Sequence, residues 1–142
     1  MRHGFTLLEL TGVLALLALA ASLSFPMGWS VRERLSVTGA REELVSLITR
    51  ARAEALQRGG SSLIVIRDPA EFRIEAGGEL LHRVEIGAIW RTELVLSGGR
   101  STVEIHFDAL GLGRMAASSV TLTRGSATAR LIISAYGRIR RE

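Results

Sequence analysis

Residues 1–28 read MRHGFTLLELTGVLALLALAASLSFPMG. From position 5 to position 25 every residue is apolar, small or hydroxylated, except Glu9. As a helix, at about 1.5 Å per residue, that run spans roughly 30 Å, the thickness of one bilayer core. A carboxylate in such a segment costs roughly 2.5–3.5 kcal/mol near the bilayer centre and less near the interface. A plain anchor gains nothing from it, so the reading of the chain turns on what Glu9 does.

Three readings compete. The run is a simple signal anchor, or it is a secretory signal peptide with Arg2 and His3 as its basic start and Ala18-Leu19-Ala20 as a cleavage site. Against the second, Glu9 falls just before the apolar region. The third accounts for more residues. Gly4-Phe5-Thr6-Leu7-Leu8-Glu9 resembles the class III leader of type IV pilins and type II secretion pseudopilins. That resemblance implies cleavage after Gly4 by a prepilin peptidase, N-methylation of Phe5, and Glu9 as fifth residue of the mature chain. Pro26 matches a position where helices of that class often carry proline, and a kink or local melting of the helix is expected there.

The resemblance also gives the carboxylate a purpose. Cleavage leaves Phe5 with a charged amine. Glu9 of one subunit then faces the Phe5 amine of its neighbour, and a paired buried charge costs far less than an unpaired one. Glu9 also lies in the first turns of the helix, where the dipole favours an anion.

Beyond the anchor, Leu35, Ala40, Leu44, Leu47, Ile48, Ala51 and Ala55 recur at helical spacing. Arg32, Glu33, Arg41, Glu42, Arg50, Arg52 and Glu54 mark the opposite face, and Gly59-Gly60 closes the helix. The rest of the chain reads as strands: SSLIVIR, then FRIEA and ELLHRVEI joined by Gly77-Gly78, then TELVLS, STVEIHF, SVTLT and TARLIIS. In STVEIHF, Val103, Ile105 and Phe107 alternate with Thr102, Glu104 and His106, which puts His106 on a polar face. The segment GLGRMA at 111–116 reads as a loop.

Composition excludes several chemistries. With no Cys, there is no disulfide, thiol nucleophile or thiolate metal site. The three His residues are scattered, all 18 basic side chains are Arg, and no catalytic or phosphate-binding motif occurs. We expect no enzyme, no metal and no cofactor.

The segments at 51–55 (Ala-Arg-Ala-Glu-Ala), at 105–113 (IHFDALGLG) and at 131–141 (LIISAYGRIRR) resemble the minor pseudopilin domain called GspH, shared with the minor pilin FimT. The resemblance implies an α+β, type IV pilin-like fold, with a long N-terminal helix laid on an antiparallel, two-sheet β domain. The expected parts are a leader at 1–4, a transmembrane or filament-core half-helix at 5–29, and a soluble domain at 30–142. That domain holds an amphipathic helix at 30–58 and a β domain at 61–142. It implies a structural subunit in the inner membrane, with a periplasmic domain, that enters a filament at or near its tip. The implied partners are other pilins, the prepilin peptidase and an inner-membrane assembly platform.

Charge is uneven. Residues 5–112 carry 11 Arg against 13 acids, a net −2, whereas residues 113–142 carry six Arg against one acid, a net +5. Gly137-Arg138-Ile139-Arg140 matches the FimT-like GR-x-R segment, which implies double-stranded DNA as a further partner of Arg138, Arg140 and Arg141. Guanidinium forks bind phosphates without needing base sequence. Three roles stay open: a secretion pseudopilin, a DNA-capturing minor pilin, and a periplasmic domain released by signal peptidase.

Overall fold

The structure is a computed structural model that describes residues 6–114 and 117–142, with the backbone alone for residues 23–27. Gly4 and Phe5 lie outside the described residues, as does the side chain of Pro26. The chain divides into two units, Met1–Arg32 and Glu33–Glu142.

Helix α1 runs over Leu7–Arg58. It continues unbroken through Pro26 and Gly28, so the helix does not melt at the expected interruption. In the first unit Leu7, Leu8, Leu10, Val13, Leu14, Leu16, Leu17 and Leu19 are all exposed. Among the described residues no helix is long and apolar enough to cross a membrane.

The second unit begins within α1, where Val37, Ala40, Leu44, Leu47, Ile48, Ala51 and Ala55 are buried. Their steps of three and four residues make one apolar stripe. Leu35 departs from the expected pattern and is 65% exposed. Counting back from Ala40 by three or four gives Val37 and Ser36, and these are the residues that are buried. Arg52, expected on the polar face, is half-buried.

The helix ends where the Gly59 N–H donates to the Ala55 carbonyl at 2.9 Å. Among the described residues nine strands come after it: β1 Gly60–Ile66, β2 Glu71–Ala76, β3 Glu79–Glu85, β4 Glu93–Leu96, β5 Thr102–Asp108, β6 Gly113–Arg114, β7 Ser118–Arg124, β8 Ala127–Ile133 and β9 Ile139–Arg141. A one-turn helix, α2 at Ile86–Trp90, separates β3 from β4. The strands form two antiparallel sheets, ordered β3-β2-β1-β5-β6 and β4-β7-β8-β9. The expected α+β, pilin-like architecture is therefore the observed one. Three elements differ from expectation. Residues 86–90 are helical, β6 pairs with β5 where a loop is expected, and β9 pairs with β8 through Arg140 opposite Ile132.

The hairpin between β2 and β3 turns on Gly77 and Gly78, both at positive φ (61° and 81°), as a two-residue turn matching strand twist requires. Leu63, Val65, Ile74, Val103, Ile105 and Phe107 of one sheet, and Leu94, Leu96, Val120, Leu122, Leu131 and Ile133 of the other, form one cluster with the α1 stripe from Ala40 to Ala55, while Val37 packs with Ala127 and Ala129 of β8. Ser61 in β1 is buried against the helix, where its hydroxyl donates to the Ala51 carbonyl at 2.6 Å. Trp90 packs on α1 at Gly39, so closely that a Cβ there would collide with the indole ring.

Candidate interaction surface

Glu9 opens α1. The Thr6 N–H donates to Glu9 Oε2 at 3.4 Å, and the Glu9 N–H donates to Thr6 Oγ1 at 3.3 Å. These long reciprocal bonds make a Thr-x-x-Glu capping box, which satisfies amide donors that a helix start leaves without intrahelical partners. The sequence carries the signal as Thr6-Leu7-Leu8-Glu9, although a carboxylate in an apolar run points first to a charge partner. Leu7, Leu8 and Leu10 surround this carboxylate with exposed apolar surface.

In the sequence the arginine-rich segment is an open cluster of three. The structure divides it. Along 138–141 only Ile139 is half-buried, while Arg138, Arg140 and Arg141 are exposed. Arg141 is bound at both ends of its fork by Glu42 of α1, Nε to Oε1 at 3.2 Å and Nη2 to Oε2 at 3.1 Å. That bidentate contact holds the Glu42 carboxyl below its ordinary pKa. Arg140 stands opposite Ile132, with exposed Arg130 two residues earlier on β8. Arg130 lies outside the segment that the sequence singles out. Its place in the alternation Ala129-Arg130-Leu131, with buried neighbours on both sides, is the signal that finds it.

The glycine of the GR-x-R segment has a structural task. Gly137 has φ +74°, and its backbone lies so near Gly113 that a Cβ on Gly113 would sit 2.8 Å from the Gly137 nitrogen. The Gly137 carbonyl accepts from Arg52 Nη2, and the Arg52 guanidinium also lies 5.6 Å from the Phe107 ring centroid. Arg52 Nε is buried with no hydrogen-bond partner among the described residues. The Ala-Arg-Ala-Glu-Ala segment and the GR-x-R segment, 85 residues apart, thus meet directly.

Around this contact is an open groove of about 690 Å³, lined by Arg52, Gly111, Leu112, Ser134, Tyr136 and Arg138. The β5–β6 loop that forms one wall is set by Asp108, whose Oδ1 accepts the N–H groups of Leu110 and Leu112 at 2.9 and 3.0 Å. Those bonds, the Leu112 one foremost, lower the Asp108 pKa. His106 keeps to the exposed side of β5, as expected, bonded to the Ser62 hydroxyl at 3.2 Å.

No protein-family profile matches the chain, and no solved structure does. Among curated proteins, the pilin-like protein PilA1 of Thermus thermophilus is 29% identical over 157 residues, an alignment that takes in 99% of each chain. The likeness is to a pilin-like protein. Together with one long N-terminal helix on an antiparallel β domain, it supports a type IV pilin-like protein. It carries nothing about the GspH/FimT branch.

Proposed function

We propose that this chain is a structural, non-enzymatic subunit of a type IV pilus-like filament, cleaved after Gly4 and methylated on Phe5. The observation that carries the reading is the uncovered apolar helix of the first unit with one carboxylate near its start. Large apolar side chains left in water all along one helix need a cover. An inner membrane before assembly and neighbouring helices after it supply one. In the packed state Glu9 pairs with the Phe5 amine of the next subunit. A minor-subunit role, with the domain on the periplasmic side and a secretion or pilus platform as partner, rests on the segments at 51–55 and 137–140. N-terminal sequencing of the mature protein is expected to start at methylated Phe5, and Gly4→Val to block processing. A mature start at Ala21 refutes the filament reading.

A second reading is favoured by one arrangement. Arg130, Arg138 and Arg140 are exposed near one sheet edge, which suits the phosphates of double-stranded DNA. Three phosphate contacts imply a slope of log affinity against log salt of roughly −2.7 and weak, sequence-independent binding. The detergent-solubilised full chain carrying Arg130→Gln, Arg138→Gln and Arg140→Gln is expected to lose that slope. Equal binding by variant and wild type removes DNA from the function.

A further inference from the structure

We infer that the groove beside Gly137 is a docking site for the β2–β3 hairpin tip of a second copy of this chain. The inference rests on the filament reading above, with copies of this chain adjacent in the filament in place of the minor-subunit role at its tip, and names the surface through which two β domains meet.

The groove is apolar and cationic at once. Arg52 and Arg138 line it, with Leu112 and Tyr136. Leu110, on the same loop, and Tyr136 are each 75% exposed, and Leu56 and Leu112 are exposed too. Leu56 adjoins the loop, since a Cβ on Gly111 would lie 3.6 Å from Leu56 Cγ. Leu112 and Tyr136 in the lining, with Leu56 and Leu110 exposed beside the same loop, mark an interface, and tyrosine and arginine are the residue types that anchor one. A phosphate chain would leave the three leucines wet. The occupant therefore carries apolar carbon together with a carboxylate.

The chain presents that chemistry on a projecting turn. At the tip of the hairpin closed by Gly77-Gly78, the Glu79 side chain is 72% exposed and Leu80 beside it is exposed. Glu79 meets an exposed Arg58 at 3.4 Å, the kind of surface pair worth ~0–1 kcal/mol and readily exchanged. Position settles the geometry. In the five-stranded sheet, β3 stands at one edge and β6 at the other, four strand spacings or roughly 19 Å apart. On α1, Arg58 comes two residues after Leu56, roughly 200° round the helix. Tip and groove lie at the same end of that sheet, where Glu75, Ser62, His106 and Arg114 stand in one row, but at its opposite edges, so one molecule cannot fill its own groove. Unlike patches on opposite edges make a head-to-tail contact, which repeats from subunit to subunit instead of closing as a dimer.

The native chain contains no Cys, so a pair placed by design reports cleanly. In the full-length protein, Leu80→Cys with Leu112→Cys is expected to give a ladder of disulfide-linked multimers from purified filaments under mild oxidation. Each single variant is expected to stay monomeric, as is Ile89→Cys paired with Leu112→Cys, a control at an exposed residue elsewhere. Adding Glu79→Arg should cut the ladder at least tenfold, and adding Arg138→Glu to that should restore it. Dimers from Leu112→Cys alone would show a symmetric contact and overturn the proposal. Filaments that contain the double variant but yield no ladder also overturn it, while the filament reading stands. Absence of the protein from filaments, with no ladder, defeats both.

Discussion

At Glu9 two roles now compete for one side chain, and a single substitution separates them. As the closing glutamate of a Thr-x-x-Glu capping box, Glu9 needs only an acceptor oxygen for the Thr6 N–H, and glutamine supplies one. As the partner of a neighbour's amine, it needs its charge. Glu9→Gln is therefore expected to keep the helix start, read by helical circular dichroism in detergent, yet to enter filaments as poorly as Glu9→Ala. If the glutamine variant assembles like wild type, the cap alone explains the residue. Glu71 in β2 poses a second question at this scale. It is fully buried, bound by Arg73 and by Arg83 at 2.8 Å. Contact with Arg73 above all holds its carboxyl below the usual carboxylate range. A depressed carboxylate stabilises the fold above its unfolded pKa, and that contribution is lost as pH falls through the folded one. The domain is expected to weaken below about pH 4.3, the ordinary glutamate value, and Glu71→Gln to flatten that acid limb of a denaturation series. Removing the arginines is worse than removing the acid. Arg73→Met with Arg83→Met strands a buried charge and should cost about 2–3 kcal/mol, below the roughly 3–5 kcal/mol of a fully buried pair because both arginines reach water.

Among the elements, α1 and α2 are fitted through one missing side chain. Trp90 occupies the place of a Cβ at Gly39, and the Arg124 guanidinium, which donates to Ser36 Oγ and to the Trp90 carbonyl at 3.0 Å, ties β7 to both helices. Gly39→Ala is expected to displace the indole and cost about 1–3 kcal/mol as an overpacked contact. Trp90 fluorescence during urea unfolding, in a Trp29→Phe background, measures it, and an unshifted midpoint would contradict the packing described. Much at this level is legible in the sequence. The helix end at Gly59, the Gly77-Gly78 hairpin and the alternation of β5 are local signals. Helix α2 is not legible, because five residues give no period to recognise. Strands β6 and β9 escape for a different reason. They are two and three residues long and exist only through partners supplied by β5 and β8. Arg52 reads as a surface residue because what covers it, Gly137, arrives 85 positions later. Arg141 reads as free for the same reason, its carboxylate being 99 positions away.

For the molecule as a whole, the order in which the sheets are filled matters more than their content. The chain lays β1 to β3 in one sheet, crosses to place β4 in the other, returns for β5 and β6, and crosses again for β7 to β9. Neither sheet is made from one continuous stretch, and the central pairing of β1 with β5 joins Gly60 to Asp108. While the chain emerges from the ribosome, the apolar stripe of α1 is finished long before β8 exists to cover its share. Late, long-range pairing of this kind makes for slow folding and prolonged exposure of sticky surface. Nascent chains stalled before β8 should therefore be open to proteases along their whole second unit, with no protected sub-fragment accumulating, and the complete chain should become resistant in a single step. A subunit that folds only once its last strands have arrived cannot offer a half-built β domain to its neighbours.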